Sequence, residues 1–153
     1  MIEPYILQRE QWVPNPLSEV FPFFADAANL QALTPSWLSF QILTPQPIAM
    51  HPGTLIDYRL RWHGVPLKWR TEILLWEPPH HFEDLQLKGP YKLWHHNHRF
   101  EEVSGGTRIL DHVRYALPFG PLGSVVHAIS VRRNVEEIFC YRDKKIRELF
   151  GGS

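Results

Sequence analysis

The chain has 153 residues, 44% of them hydrophobic and 21% charged, which suits one globular domain with a substantial core. Its 16 basic side chains balance its 16 acidic ones, so no basic excess is available to bind nucleic acid. No apolar run approaches the roughly 20 residues that span a membrane, and the amino terminus lacks a signal-peptide pattern. The single Cys140 suits a reducing compartment. We therefore predict one cytoplasmic domain over residues 1–153, without nucleic-acid binding or stable membrane insertion.

The first part of the chain predicts one strand followed by two short helices. Residues 5–13 have the character of an extended strand. Asn15 and Pro16 then predict a helix start, with Asn as the cap and Pro in the first helical position, where its missing N–H costs nothing. Asp26 predicts the cap of a second short helix, which ends before Pro35.

From residue 40 onward, alternation with period two predicts six further strands, which are separated by turn residues. The predicted strands cover residues 40–43, 54–63, 67–77, 82–88, 92–103 and 107–117. Most of the gaps are of hairpin size, so the strands are expected to form an antiparallel meander. A helical stripe then predicts a long helix over about residues 122–149. The fold class is therefore α+β, with seven strands and a long C-terminal helix.

The strand over residues 92–103 carries the most informative pattern of the chain. Trp94, His96, His98 and Phe100 fall on one of its faces at period two. A half-buried strand usually alternates aliphatic with charged residues, whereas this aromatic face carries two imidazoles. If the face points inward, a titratable centre lies inside an apolar shell, which is typical of a ligand pocket or an active site.

The predicted hairpins indicate which side chains share that inward face. A two-residue loop at residues 105–106 places Tyr115 opposite His96, and it places Asp111 diagonal to His98, within side-chain reach.

Two neighbouring strands complete the inward face. A loop at residues 64–65 turns Tyr58 and Trp69 inward. In the next strand the inward position belongs to Asp84, which then lies diagonal to His96. If the register slips by one residue, Glu83 takes the inward position instead.

The polar groups on this face predict a cavity rather than a dry core. A buried polar group without a partner costs roughly 1–3 kcal/mol, so these groups must bond to one another or face water and a ligand. The predicted ligand-binding residues are the aromatic and titratable members of the face: Tyr58, Trp69, Asp84, Trp94, His96, His98, Asp111 and Tyr115.

Segments along nearly the whole chain resemble those of a known superfamily. They include Trp12-Val13-Pro14, Gly53-Thr54, Trp76-Glu77-Pro78-Pro79, Gly89-Pro90-Tyr91 and Leu117-Pro118-Phe119-Gly120. The chain resembles the Bet v 1-like or START-like (SRPBCC) proteins, and within them the bacterial ligand-binding group that is described as polyketide cyclase/dehydrase-like. The resemblance implies a helix-grip fold, in which a curved seven-stranded antiparallel sheet wraps around the C-terminal helix and leaves an apolar cavity. It supplies no catalytic residue set, and the fold hosts carriers, receptors and enzymes alike.

Three functions are compatible with these residues and with the resemblance. The first is binding of an apolar or amphipathic small molecule, such as a lipid, an isoprenoid or a polyketide, without a cofactor. The alternative is a cyclase or dehydratase in which His96 or His98 is the general base, Asp111 orients it, and Tyr115 stabilises an oxygen. The third is an interaction module without a ligand. A metal site is not expected, because His95 points outward and no third histidine shares the inward face.

The inward histidines also predict a stability effect. In a closed network, replacing His98 would leave Asp111 without a partner and cost about 1–3 kcal/mol. In a wet cavity the change would be nearly neutral, and ligand affinity would vary between about pH 5 and 8. We predict the wet cavity.

Overall fold

Seven strands form a single antiparallel sheet in the computed structural model, which describes residues 4–151 apart from the side chains of residues 128 and 129. The strands are β1 (Tyr5–Val13), β2 (Gln41–Ile42), β3 (Leu55–Trp62), β4 (Val65–Glu77), β5 (His81–Lys88), β6 (Leu93–Val103) and β7 (Gly106–Ala116). Their order across the sheet is β1-β7-β6-β5-β4-β3-β2. Strands β2 to β7 therefore form a meander, and the last strand, β7, pairs with the first strand, β1.

Helical segments follow the first and the last strand. They are α1 (Leu17–Ala25), two 3₁₀ turns (Ala27–Leu30 and Ser36–Leu38), α2 (Gly120–Val126), a π-helical turn (His127–Val131) and α3 (Arg132–Phe150). This arrangement confirms the predicted α+β helix-grip fold, with a curved antiparallel sheet around a long C-terminal helix and short helices after the first strand. Within residues 4–151, no helix is both long enough and apolar enough to cross a membrane.

Helix α3 packs against the sheet through one buried stripe. Val135, Phe139, Arg142 and Ile146 are its buried residues, and their spacing of four, three and four places them on one face. Phe139 packs beside Val113, and Ile146 packs in the cluster that contains Val13 and Phe100. Full burial of such an apolar side chain contributes roughly 1.5–3 kcal/mol. Arg142 is the polar member of this stripe.

The first helix begins slightly later than predicted. Pro16, rather than Asn15, is the residue before the first turn, and no side chain in the described part of the chain caps the helix. The carbonyl oxygen of Asn15 instead accepts a hydrogen bond of 2.9 Å from the Thr107 hydroxyl, which ties this residue to β7. The second predicted cap is confirmed, because Oδ1 of Asp26 accepts from the backbone N–H of Ala28 at 3.0 Å.

Two predicted hairpin loops lie one residue too late in the chain. The loops are His63-Gly64 and Ser104-Gly105, and φ is positive at all four residues (49°, 79°, 54° and 77°). Positive φ at both central residues is the signature of the type I′ turn, whose twist suits a hairpin. Moving a two-residue loop by one position shifts the strand register by two residues, which leaves every side chain on its predicted face.

A β-bulge in β4 changes the inward side chains near its end. Ile73 pairs with Asp84 but Leu75 pairs with Glu83, so Leu74 is the extra residue. Strict alternation would turn Leu75 inward. The bulge instead turns Trp76 into the core, where it packs against phenylalanine rings.

Candidate functional site

A cavity of about 600 Å³ lies between the inner face of the sheet and the helices. This volume falls within the range of about 300–1,000 Å³ that is typical of small-molecule sites. Most of the lining is aliphatic or aromatic and comes from β3, β4, β6 and the helical segments. Its apolar members include Phe24, Leu30, Phe40, Ile56, Leu60, Trp62, Trp69, Tyr91, Trp94, Leu122 and Ile138.

The aromatic wall of the cavity is built around Trp69. Its ring lies edge-on to the ring of Trp94, with centroids 5.6 Å apart and an angle of 84°, and it makes a similar contact with Tyr91. The indole N–H of Trp69 donates to Oγ1 of Thr71 at 3.0 Å. Because this polar group is already satisfied, the wall presents ring surface to the cavity.

The structure brings most of the sequence-predicted residues to the cavity. The lining includes Tyr58, Trp69, Asp84, Trp94, His96 and His98. Asp111 and Tyr115 are buried but are not among the lining residues. Glu83, the alternative to Asp84, lies on the other face of β5, so the register slip does not occur. That these residues bind a ligand remains a prediction.

Two histidine–carboxylate pairs form the polar end of the cavity. In the strand register, the Cα atom of His96 lies opposite that of Asp84, and the Cα atom of His98 lies opposite that of Asp111. This corrects both predicted diagonal placements, of which only that of Asp111 followed from the misplaced loop at residues 105–106. The hydrogen bonds nevertheless cross: Nε2 of His96 lies 2.7 Å from Oδ1 of Asp111, and Nε2 of His98 lies 2.7 Å from Oδ2 of Asp84.

The protonation state of His98 follows from its surroundings. Burial lowers the pKa of His98 to about 4, so the imidazole is neutral at pH 7. Its single hydrogen then lies on Nε2, where it is donated to Asp84. The other nitrogen, Nδ1, has a free lone pair and no hydrogen-bond partner among the described residues. It lies 3.6 Å from Oδ1 of Asp111.

Both carboxylates of the network are ionised near neutral pH. Burial raises the pKa of Asp84, but the hydrogen bond from His98 and nearby charges outweigh it, and the pKa is lowered. Burial also opposes ionisation of Asp111, yet Arg142 and His96 hold the pKa of Asp111 well below its usual range. The hydrogen-bond donors and charges around the two carboxylates therefore keep both of them ionised.

Arg142, on α3, is a charged cavity-lining residue that the sequence prediction missed. Its side chain lines the cavity and is buried, and Nη2 lies 3.5 Å from Oδ1 of Asp111. The guanidinium carbon is 5.3 Å from the ring centroid of Phe24 and 6.0 Å from that of Phe139, which are cation–π distances. The available signal was its helical spacing, three residues after Phe139 and four before Ile146, on an otherwise apolar stripe.

Tyr115 is committed to a different contact. Its hydroxyl lies 2.8 Å from Nε2 of His127, and the imidazole of His127 stacks on Tyr5 with centroids 3.4 Å apart. Burial raises the pKa of Tyr115 and lowers that of His127, so the tyrosine O–H donates to a neutral imidazole. The geometry thus gives Tyr115 no contact with the cavity that would let it stabilise a ligand oxygen there.

The same residues can be assessed as metal ligands. Asp84, His96 and His98 offer ligand atoms that all lie within 4.8 Å of one another. However, the two imidazoles are stacked, with centroids 3.6 Å apart and an angle of 24°. Lone pairs in the planes of nearly parallel rings run side by side instead of converging on one ion, so the arrangement suits hydrogen-bonded pairs better than a metal centre.

A second histidine–carboxylate cluster lies on the outer face of β5 and β6. Nε2 of His95 is 2.7 Å from Oε1 of Glu83, and Nε2 of His81 is 3.4 Å from Oε2 of the same carboxylate. The ring of His81 also contacts the amide oxygen of Asn97. His95 therefore points outward, as predicted.

Comparisons with known proteins agree with the fold. Residues 13–138 match the family model described as polyketide cyclase / dehydrase and lipid transport. A crystal structure of a protein from Thermus thermophilus superposes with a TM-score of 0.70 at 16% identity, covering 95% of this chain and 99% of that one. The crystal structure of Ara h 8.0201 superposes with a TM-score of 0.65 at 16% identity, covering 95% of this chain and 99% of that one. The crystal structure of Zhui aromatase/cyclase from a Streptomyces species superposes with a TM-score of 0.66 at 13% identity, covering 95% of this chain and 96% of that one. At such identities these structures show the fold alone, and no curated protein matches the chain.

Proposed function

This chain belongs to the polyketide cyclase / dehydrase and lipid transport family, and we propose that it binds an apolar small molecule in the cavity between sheet and helices. A lipid, an isoprenoid or a polyketide-like compound would suit the site. The observation that carries the proposal is the cavity of about 600 Å³, which is walled mainly by aliphatic and aromatic side chains. Transfer of apolar ligand surface from water into such a site contributes about 0.8 kcal/mol for each buried CH₂ group. The single cysteine and the absence of basic excess favour a cytoplasmic carrier over a nucleic-acid binder.

The test is a search for a bound ligand. We expect native mass spectrometry of the protein purified from its own host to show a co-purified small molecule. We also expect a fluorescent fatty acid to titrate with one site. A protein that carries no ligand and binds no apolar probe would contradict the proposal.

Matched tryptophan substitutions locate the binding. Leu60 lines the cavity, so Leu60→Trp is expected to occupy ligand space and to weaken probe binding about tenfold or more. Leu87 lies exposed on β5, and Leu87→Trp is the control, with unchanged affinity. Equal loss in both variants would place the probe outside the cavity.

One observation favours a second candidate, an acid–base enzyme of the cyclase or dehydratase type. His98 lines the cavity, its Nε2 hydrogen is donated to Asp84, and its buried Nδ1 has a lone pair without a hydrogen-bond partner among the described residues. A general base needs such a lone pair to take a proton from a carbon next to a carbonyl. The lowered pKa of His98, caused by burial, makes it a weak base at neutral pH, which is why binding is the first candidate.

Turnover separates the two candidates. If the enzyme reading is right, poly-β-ketone substrates will cyclise or lose water in the presence of the protein, and His98→Gln will abolish the reaction while keeping ligand binding. Binding without turnover across such substrates would leave the carrier function.

A further inference from the structure

The guanidinium of Arg142 has fewer acceptors than donors. The residue is 6% exposed, and its Nε and Nη2 atoms are buried without a hydrogen-bond partner among the described residues. Arg70 shows how the same two atoms are normally satisfied: on the outer face of the sheet, its Nε and Nη2 donate to Asp57 at 2.8 and 3.2 Å. Arg142 therefore differs from Arg70 by a missing pair of oxygens in a desolvated position.

The described residues supply no good hydrogen-bond acceptor for Nε and Nη2 of Arg142. The nearest carboxylate oxygen, Oδ1 of Asp111, lies 3.5 Å from Nη2 and already accepts from His96 at 2.7 Å. A buried cation with unmade hydrogen bonds is unfavourable, because the lost hydration is not replaced. Since the Arg142 side chain lines the cavity, a ligand oxygen that arrives through the cavity is the natural acceptor.

The charges around Arg142 indicate what kind of oxygen fits. In this network Asp84 and Asp111 each carry a negative charge, and His98 is neutral. The guanidinium of Arg142 carries a positive charge beside Asp111. A ligand carboxylate would place a third negative charge in the same desolvated region. A carbonyl oxygen accepts from the guanidinium without adding charge, so the balance favours a ketone or an ester over a free acid.

We propose that Arg142 anchors the carbonyl oxygen of an apolar keto or ester ligand, whose hydrocarbon portion lies along the wall formed by Trp69 and Trp94. The inference rests on the proposed ligand-binding function and adds the ligand's head group and its orientation. Because Nε and Nη2 are buried, the guanidinium must turn toward the cavity to donate to the carbonyl oxygen. Its contacts with the faces of Phe24 and Phe139 are compatible with such a rotation.

Three ligands with the same number of carbon atoms test the proposal: methyl nonyl ketone, undecane and undecanoate. Affinities are measured by the fluorescence of the tryptophans in the wall. We expect the wild-type protein to bind the ketone at least about tenfold more tightly than either the alkane or the carboxylate, as for a hydrogen bond to a charged donor. Arg142→Met is expected to remove this preference while retaining affinity for undecane. Arg70→Met, on the outer face, is the control and keeps the preference.

Each other outcome has a definite meaning. Equal affinity for ketone and alkane in the wild type would overturn the carbonyl anchor but leave the binding function intact. Tighter binding of undecanoate would overturn the choice of a neutral head group. Failure to bind any of the three would contradict both proposals.

A second measurement covers the case in which Arg142→Met does not fold. In the wild-type protein, the ¹⁵N-detected Nε–H resonance of Arg142, assigned by its loss in Arg142→Lys, should shift on addition of the ketone and not on addition of undecane. A resonance that both ligands leave unchanged, or shift equally, would overturn the anchor.

Discussion

The two faces of strands β5 and β6 carry the same kind of pair in different surroundings. On the inner face, His98 lies 2.7 Å from Asp84, and on the outer face, His95 lies 2.7 Å from Glu83. The distances are equal, but the side chain of His98 is 7% exposed and that of His95 is 21% exposed. Burial lowers the pKa of His98, the inner histidine.

The contrast shows that desolvation, rather than distance, decides what such a pair does. A pair at the surface exchanges water for a partner of similar strength, so its net contribution is typically about 0–1 kcal/mol. In a buried network each group depends on its neighbours, and removing one partner leaves an uncompensated charge or donor. The inner face is therefore where substitution, pH and ligand are expected to have effects.

The largest effect is expected at Asp111. It accepts from His96 at 2.7 Å and faces Arg142, so Asp111→Ala leaves a buried guanidinium without its counter-charge. Removal of one partner from a buried charged pair typically costs about 3–5 kcal/mol, and we expect a loss of that order in urea unfolding. The control is Asp57→Ala, which removes the surface partner of Arg70. A smaller loss for Asp111→Ala than for Asp57→Ala would refute the contrast between the faces.

Next in size is the difference between His98→Ala and His95→Ala. His98 is hydrogen-bonded to Asp84 and stacked on Phe82, with centroids 4.1 Å apart and an angle of 14°. Because of these contacts, we no longer expect His98→Ala to be nearly neutral for stability, as it would be in a wet cavity. We expect His98→Ala to lower the free energy of unfolding by about 1–3 kcal/mol and His95→Ala by about 0–1 kcal/mol. Equal losses would mean that burial does not distinguish the two histidines.

Acid is expected to destabilise the protein in two steps. The pKa of His98 is about 4 in the folded protein and 6.5 in its ordinary state, so the unfolded chain binds a proton that the native protein does not. Stability therefore falls as the pH decreases from about 6.5 to about 4. Below the ordinary carboxyl value of 3.8, protonation of Asp84 and Asp111, whose pKa values are lowered in the fold, removes further stability.

Urea unfolding between pH 7 and 4 checks the first step. We expect His98→Gln to flatten the pH dependence of the free energy of unfolding in this range. The titration of His98 also lies below the window of pH 5–8, so we no longer expect this residue to make ligand affinity vary there. An unchanged slope in His98→Gln would show that another group controls the acid response.

The smallest expected effect is the coupling across the outer pair. A double-mutant cycle on His95 and Glu83 should give less than about 1 kcal/mol, and added salt should reduce it further. The same cycle on His96 and Asp111 should give about 1.5–3 kcal/mol with little response to salt. Coupling energies of similar size and salt response would contradict the role assigned to desolvation.

The inner face could be predicted because side-chain alternation tolerates errors of two residues. Moving the loop from Gly105-Gly106 to Ser104-Gly105 changes the residue opposite His98 but keeps both histidines and Asp111 on one face. The crossed hydrogen bonds could not be predicted, because the side-chain rotamers, and not the register, decide whether His96 bonds to Asp84 or to Asp111.

Arg142 escaped prediction for a related reason. An isolated cation on an amphipathic helix usually lies at the edge of the apolar stripe with its charge in water. Its burial depends on the phase of α3, which follows a π-helical turn at His127–Val131 that the sequence pattern did not reveal. The outer position of His95, in contrast, follows directly from the alternation of β6.

A crystal structure of the protein with methyl nonyl ketone tests the central claim most directly, namely that a cavity with an apolar wall and a polar end holds an oriented ligand. We predict density for one molecule inside the cavity, with the alkyl chain against Trp69 and Trp94 and the carbonyl oxygen within hydrogen-bond distance of the Arg142 guanidinium. An empty cavity at saturating ketone, or a carbonyl group directed away from Arg142, would contradict the account.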